Sequence, residues 1–124
     1  VCQFVFGPAW QLMGMEELAN IVTAVTGEDT TVDDLLTIGA RRLNLLRAFN
    51  AREGITRERD TLPKRMFEPL SGGPTNDRAI DPNVFQAALG MYYEQAGWDP
   101  VTGNPPRRTL EDLDLGWVAD ELGV

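Results

Sequence analysis

Few residues in this sequence are equipped for chemistry, and the first of them stands second in the chain. Cys2, in the opening stretch VCQFVFGP, is the single cysteine among 124 residues. As a thiolate it would be a nucleophile or a soft metal ligand, and as a thiol a small apolar side chain. One cysteine cannot form an internal disulfide, which fits a reducing cytoplasm. The chain contains no histidine, so Ser-His-Asp triads, His-ligated zinc and imidazole proton relays are excluded. Gly72-Gly73 lacks the flanking spacing of a phosphate-binding loop. Glu16-Glu17 and Glu111-Asp112 are adjacent pairs on predicted helices, where neighbours point apart, so they read as solvated faces. No self-contained active site is legible in these residues.

Positive charge is concentrated in one block. Between Arg41 and Arg65 lie eight basic residues, seven of them Arg, against Glu53, Glu58 and Asp60, in a chain whose net charge is −8. The acidic excess argues against a nucleic-acid partner, because phosphates require clustered Lys and Arg without compensation. Arginine is the cation suited to bidentate, partly buried pairing with carboxylates. The block therefore expects acidic partners, in structural ion pairs or in anion binding.

The elements that must position these residues are helical. Leu18, Ile21, Val22 and Val25 recur at helical spacing, which predicts a helix over 15–25 closed by Gly27. Thr30 and Thr31 are N-cap candidates for a second, long helix over 32–52, with Asp33 and Asp34 in its first turn and Gly54 at its end. On a helical wheel, eight of its apolar residues fill about half the circumference: Val32, Leu35, Leu36, Ile38, Leu43, Leu45, Leu46 and Phe49. That predicts a helix buried on most sides. Arg42, Asn50 and Gly39 fall inside the same sector. A buried Arg and Asn require partners, either a structural polar network or a cofactor contact.

From Ile55 to Ile80, Pro63, Pro69, Pro74 and the run SGGPTND predict an irregular excursion. Asp81 and Pro82 read as N-cap and first residue of a third helix to about Gln95, stopped by Gly97. After the turn WDPVTGNPP, a last helix is expected near Thr109, with Gly116 as a break. No alternating strand pattern is present. The expected fold class is all-α, an irregular helical domain of four to five helices with long loops, and residues 1–124 read as a single domain. No apolar run is long enough to cross a bilayer and no secretory leader is visible, so no membrane partner is expected and the cytoplasm is the expected location.

One run narrows the function. Arg42, Asn44, Arg47, Phe49, Asn50, Arg52, Glu53, Gly54, Arg57, Asp60, Leu62, Pro63 and Arg65 stand in RRLNLLRAFNAREGITRERDTLPKR, followed by YYEQAGWDPVTGNP. This resembles the C-terminal part of the tungsten-containing aldehyde ferredoxin oxidoreductase family, over essentially the whole chain. The resemblance implies a parent enzyme that oxidises aldehydes to carboxylic acids at a tungsten or molybdenum pterin and passes electrons through a 4Fe-4S cluster to ferredoxin. It implies that Cys2 is the fourth cluster ligand and that the backbone at Cys2 and Gln3 lies against the pterin. The other ligands, the catalytic residues and the N-terminal domains would stand upstream. This piece alone would then neither catalyse nor hold a cofactor. A relative acting on another substrate, such as an aromatic thioester, a non-catalytic helical interaction module, and a homo-oligomer all stay open at this point.

Overall fold

The computed structural model describes residues 13–124. The described residues form helices, turns and loops with no strand, in keeping with the all-α expectation. Two compact units follow each other along the chain, the first ending at Leu43 and the second running Asn44–Val124.

The first unit contains helix α1, Met15–Thr26, and the beginning of helix α2, Val32–Arg52. The Glu17 carboxylate accepts from the Gly14 N–H at 2.9 Å, satisfying a donor near the helix start. Gly27 closes α1 with φ at 78°, a left-handed conformation open to glycine at no cost. The turn that follows is tied back to α1 by the Thr30 N–H, which donates to Thr23 Oγ1 at 2.9 Å. Thr31 is the N-cap of α2: its hydroxyl oxygen accepts from Asp34 N–H at 3.2 Å, while Asp34 Oδ2 accepts from Thr31 N–H at 2.8 Å. This reciprocal box satisfies two helix-end groups. It also holds the Asp34 carboxyl below the usual carboxylate range, first through the bond from the Thr31 hydroxyl and then through the Thr31 backbone.

The second unit takes in the rest of α2, an excursion from 53 to 81, helix α3 Pro82–Ala96, helix α4 Arg107–Glu111 and helix α5 Gly116–Leu122. Two 3-10 turns, Arg57–Arg59 and Lys64–Met66, give the excursion local shape. Its far loop is closed by Leu70 N–H donating to Arg78 O at 3.0 Å and Ile80 N–H to Met66 O at 3.0 Å. Helix α3 begins as its residues dictate, with Asp81 accepting from Asn83 N–H at 2.7 Å and Pro82 in the first position. The core joins Ala48 of α2 to Leu110, Leu115, Val118 and Ala119, with Leu113 and Leu122 packed against it.

The chain's last helical stretch differs from its sequence expectation. Gly116 does not interrupt a helix; it is the first residue of α5. The break lies earlier, at Asp114, which turns left-handed at φ 57° so that Leu115 N–H reaches Leu110 O at 2.8 Å. That turn places Leu115 in the core, and burial of the side chain offsets the unfavourable backbone conformation.

Burial along α2 is the larger correction. Arg42, expected inside, is exposed, and Asn50 is only half-buried. Leu45, Leu46 and Phe49, which share the predicted apolar sector, are exposed as well. The buried residues are instead Asn44, Arg47 and Ala48. Within the second unit, α2 turns a polar face inward and an apolar face outward.

Candidate functional site

The inward face of α2 is the centre of the best-defined polar constellation among the described residues. Asn44 and Arg47 stand three apart, so one helix face presents both. Arg47 is 5% exposed, a burial tolerated by a guanidinium only when its donors are matched. They are matched here from three directions. Nε donates to Asn104 Oδ1 at 3.2 Å, Nη1 to Asp60 at 2.9 Å and Nη2 to the Thr102 carbonyl at 3.3 Å.

Tyr93 of α3 donates its phenolic proton to the other oxygen of Asp60. The Asp60 carboxylate thereby joins α2 to α3 through one charged and one phenolic partner. Burial pushes the Tyr93 phenol up to about 12, helped by the bond to Asp60 and its negative charge. Trp98, just past the end of α3, donates its indole N–H to Asn44 Oδ1 at 2.9 Å. The Arg47 guanidinium carbon lies 5.5 Å from the Trp98 ring centroid, and that of Arg57 lies 5.0 Å from the Tyr93 ring centroid, distances at which a cation is attracted to an aromatic face. Arg57 also donates to the Pro100 carbonyl and, at 3.4 Å, to Gln86.

The turn 99–104 closes the arrangement. Asp99 Oδ1 accepts from Thr102 N–H, the Thr102 hydroxyl and Val101 N–H, and these bonds, that from the Thr102 backbone foremost, hold its carboxyl below the usual range. Gly103 sits at φ 70° against the network, where a Cβ would stand 2.7 Å from Arg47 Nη2 and 2.8 Å from Tyr93 Oη. Only a residue without a side chain lets the turn approach so closely.

Chemically, this constellation is saturated. Among the described residues no buried side-chain N or O lacks a hydrogen-bond partner. The Tyr93 phenol keeps its proton at neutral pH because its affinity is raised and its bond is committed to Asp60. The network is thus a clasp that fixes α2, α3 and two loops together, with no free acid, base or nucleophile.

Of the residues singled out in the sequence, Asn44, Arg47, Arg57 and Asp60 are brought together here. Arg42, Phe49, Arg52 and Arg65 are exposed and take no part. Thr102, Gly103 and Asn104 are the members that no single-residue argument pointed to; the signal was the turn VTGNP, whose glycine and asparagine mark a tight approach. The basic block does find an acidic partner inside itself, Asp60 for Arg47, while Arg52 pairs with its exposed neighbour Glu53. Cys2 and Gln3, the candidate cofactor residues, lie outside the described residues. Among the described residues, no group of three or more His, Cys, Asp or Glu stands together to hold a metal ion, so this part of the chain offers no donor set of its own. No described helix is long and apolar enough to cross a membrane.

A concavity of a different kind lies on the outward face. Leu45, Ala48 and Phe49 of α2 face Trp117, Val118 and Leu122 of α5 across a groove of about 440 Å³, with Arg52 and Glu121 at its rim.

Comparison with known proteins agrees with the sequence pattern. Residues 1–115 match the family model described as aldehyde ferredoxin oxidoreductase, domains 2 and 3. The tungsten-containing aldehyde ferredoxin oxidoreductase of Pyrococcus furiosus is 34% identical over 105 residues, which cover 83% of this chain and 17% of that protein. The aliphatic sulfonate oxidoreductase, WOR-like subunit, of the same organism is 31% identical over 128 aligned positions, covering 98% of this chain and 20% of the relative. Among solved structures, the active-site complex BamBC of benzoyl coenzyme A reductase with 1,5-dienoyl-CoA superposes with a TM-score of 0.70 at 28% identity, over 88% of this chain and 15% of that one. The chain spans about a sixth of the length of the first of these relatives.

Proposed function

The chain belongs to the aldehyde ferredoxin oxidoreductase family, and from that premise we propose that it is the C-terminal helical domain, residues 1–124, of a cytoplasmic metallopterin oxidoreductase. The parent would oxidise an aldehyde with water to a carboxylic acid, releasing two electrons and two protons. A tungsten or molybdenum pterin would supply the two-electron chemistry when bound, and a 4Fe-4S cluster held in part by Cys2 would supply electron transfer towards ferredoxin. By likeness to the family, Cys2 would be the fourth thiolate on the cluster, which is held by a set of four. Gln3, next to it, would lie against the pterin through its backbone.

The share of this work assigned to the described residues is positioning. The observation that supports it is the convergence of the family-like motif on one place: Asn44, Arg47 and Asp60 of the long run meet Tyr93, Trp98 and Asn104 of the later one in a single buried network. Chemistry elsewhere in the parent would rest on this rigid support, because sites hold geometry only when their supporting residues are locked. Purified full-length parent should contain tungsten or molybdenum together with iron, and should reduce a redox dye in an aldehyde-dependent way. A parent free of these metals would leave the second reading, a helical scaffold without redox function. That reading draws on the saturation of the clasp, every member of which has a structural role. The similarity to a sulfonate oxidoreductase subunit and to a benzoyl coenzyme A reductase complex supports testing sulfonates and aromatic thioesters beside aldehydes, and a parent assembled from several subunits.

A further inference from the structure

We propose that the far loop of the excursion binds an α-amino acid with an apolar side chain. The two arms of the loop, one running from Arg65 to Leu70 and the other from Arg78 to Ile80, line a concavity of about 250 Å³. They are held in register by Leu70 N–H on Arg78 O, Asp77 N–H on Leu70 O and Ile80 N–H on Met66 O, at 2.8–3.0 Å. At the tip, Asn76 Oδ1 accepts from Gly72 N–H at 2.7 Å. Phe67 pins the first arm to α3, its ring edge-on to that of Phe85 with the centroids 5.7 Å apart. Contacts outside the concavity thus fix its walls and leave its lining free.

Three charged side chains belong to that lining, Arg65, Arg78 and Glu68, and none of them has an ion-pair or hydrogen-bond partner among the described residues. Arg47, Arg57 and Arg107 of the same unit each find an acceptor. Met66, Leu70 and Ile80 add an apolar surface to the same concavity, with Met66 and Leu70 exposed. Each of these features selects one part of a ligand. Two guanidinium groups suit a carboxylate, to which arginine donates in charge-assisted pairs. Glu68 suits an ammonium group. The apolar surface suits an aliphatic or aromatic body, whose burial is favourable. The space is smaller than the roughly 300–1,000 Å³ of pockets for drug-sized ligands, so one small molecule must carry all three parts, as an apolar amino acid does. A plain organic acid leaves Glu68 facing a like charge, and a plain amine leaves both arginines unanswered.

The test is calorimetric titration of the purified full-length parent with L-leucine, beside 4-methylpentanoate, which lacks the ammonium group, and 3-methylbutylamine, which lacks the carboxylate. Leucine should bind saturably with Kd at or below about 1 mM, and each analogue about tenfold or more weakly than leucine, the worth of one charge-assisted hydrogen bond. Arg65→Gln and Arg78→Gln should each weaken leucine by a similar factor. Glu68→Gln should weaken leucine but not 4-methylpentanoate. All three side chains are exposed, so the variants should unfold in urea with the unsubstituted protein, and three of them keep a single misfolded one from deciding the outcome. Absence of leucine binding would overturn the inference. So would leucine binding that all three substitutions leave unchanged, which would place it elsewhere. Binding of 4-methylpentanoate as tight as that of leucine would make this a site for simple acids and would overturn the assignment too. The inference does not rest on the proposed function. Leucine binding by a metal-free parent upholds the site and rejects the oxidoreductase, and a metal-loaded parent that binds no leucine does the reverse.

Discussion

The two faces of α2 in the second unit invert the usual relation between polarity and burial. The face bearing Asn44 and Arg47 is buried, and the face bearing Leu45, Leu46 and Phe49 is exposed. The difference lies in what each face meets. Arg47 finds a carboxylate, an amide and a carbonyl at 2.9–3.3 Å, enough to replace the water it gives up. The leucines and Phe49 find mostly solvent, although burying each would be favourable. A polar residue with all its partners inside the unit goes in, and an apolar one without a partner stays out.

The strongest way to break this contrast is Arg47→Ala. It removes a buried cation, leaves Asn104 and the Thr102 carbonyl without this donor and leaves Asp60 with Tyr93 alone, so urea unfolding should show a loss of about 3–5 kcal/mol, the range for breaking a buried ion pair. Gly103→Ala attacks the same clasp from the turn. With its Cβ directed at Arg47 and Tyr93 and its φ positive, it should cost about 1–3 kcal/mol, as overpacking does.

Tyr93→Phe sharpens the contrast further, removing one hydroxyl from the buried network. A loss of about 1–3 kcal/mol is expected from leaving a carboxylate oxygen short of a donor. The pH dependence gives an independent reading. The folded state raises the Tyr93 phenol to about 12, above the ordinary value near 10. Its contribution to stability should thus be complete below pH 10 and be lost as pH rises through 12, and the Phe variant should lack that component of the alkaline decline. At the small end, Arg42→Ala on the exposed face should change stability by less than about 0.5 kcal/mol, as surface substitutions do. A loss comparable to that of Arg47→Ala would erase the distinction between the two arginines.

Element positions were largely legible in the sequence because their signals are local. Asp81 and Pro82 open α3 and Gly97 closes it, Thr31 caps α2, and the observed ends of these helices lie within about one residue of those expected. Burial was not legible, for a physical reason. Periodicity states which residues share a face, but the surface that a face meets is set elsewhere. Arg42 and Asn50 were expected inside because they share a sector with leucines, and that sector is the uncovered one. The clasp depends on contacts between residues far apart in the chain, such as Arg47 with Thr102 and Asn44 with Trp98, which no spacing rule reaches. The family-like run held the right residues without showing which of them touch. The candidate cluster ligand Cys2 and its neighbour Gln3 stand outside the described residues.

The clasp also sets apart the two tyrosines of this chain. Tyr92 and Tyr93 are successive residues of one helix, yet Tyr92 is 43% exposed and Tyr93 1%. A reagent that nitrates or iodinates phenols meets one ring at the surface and finds the next enclosed between α2, Trp98 and the 99–104 turn. Regioselective modification of adjacent side chains thus becomes an intrinsic gauge of the network: while Arg47 and Asp60 hold, a single tyrosine is derivatised, and once they let go the chain takes up a second equivalent.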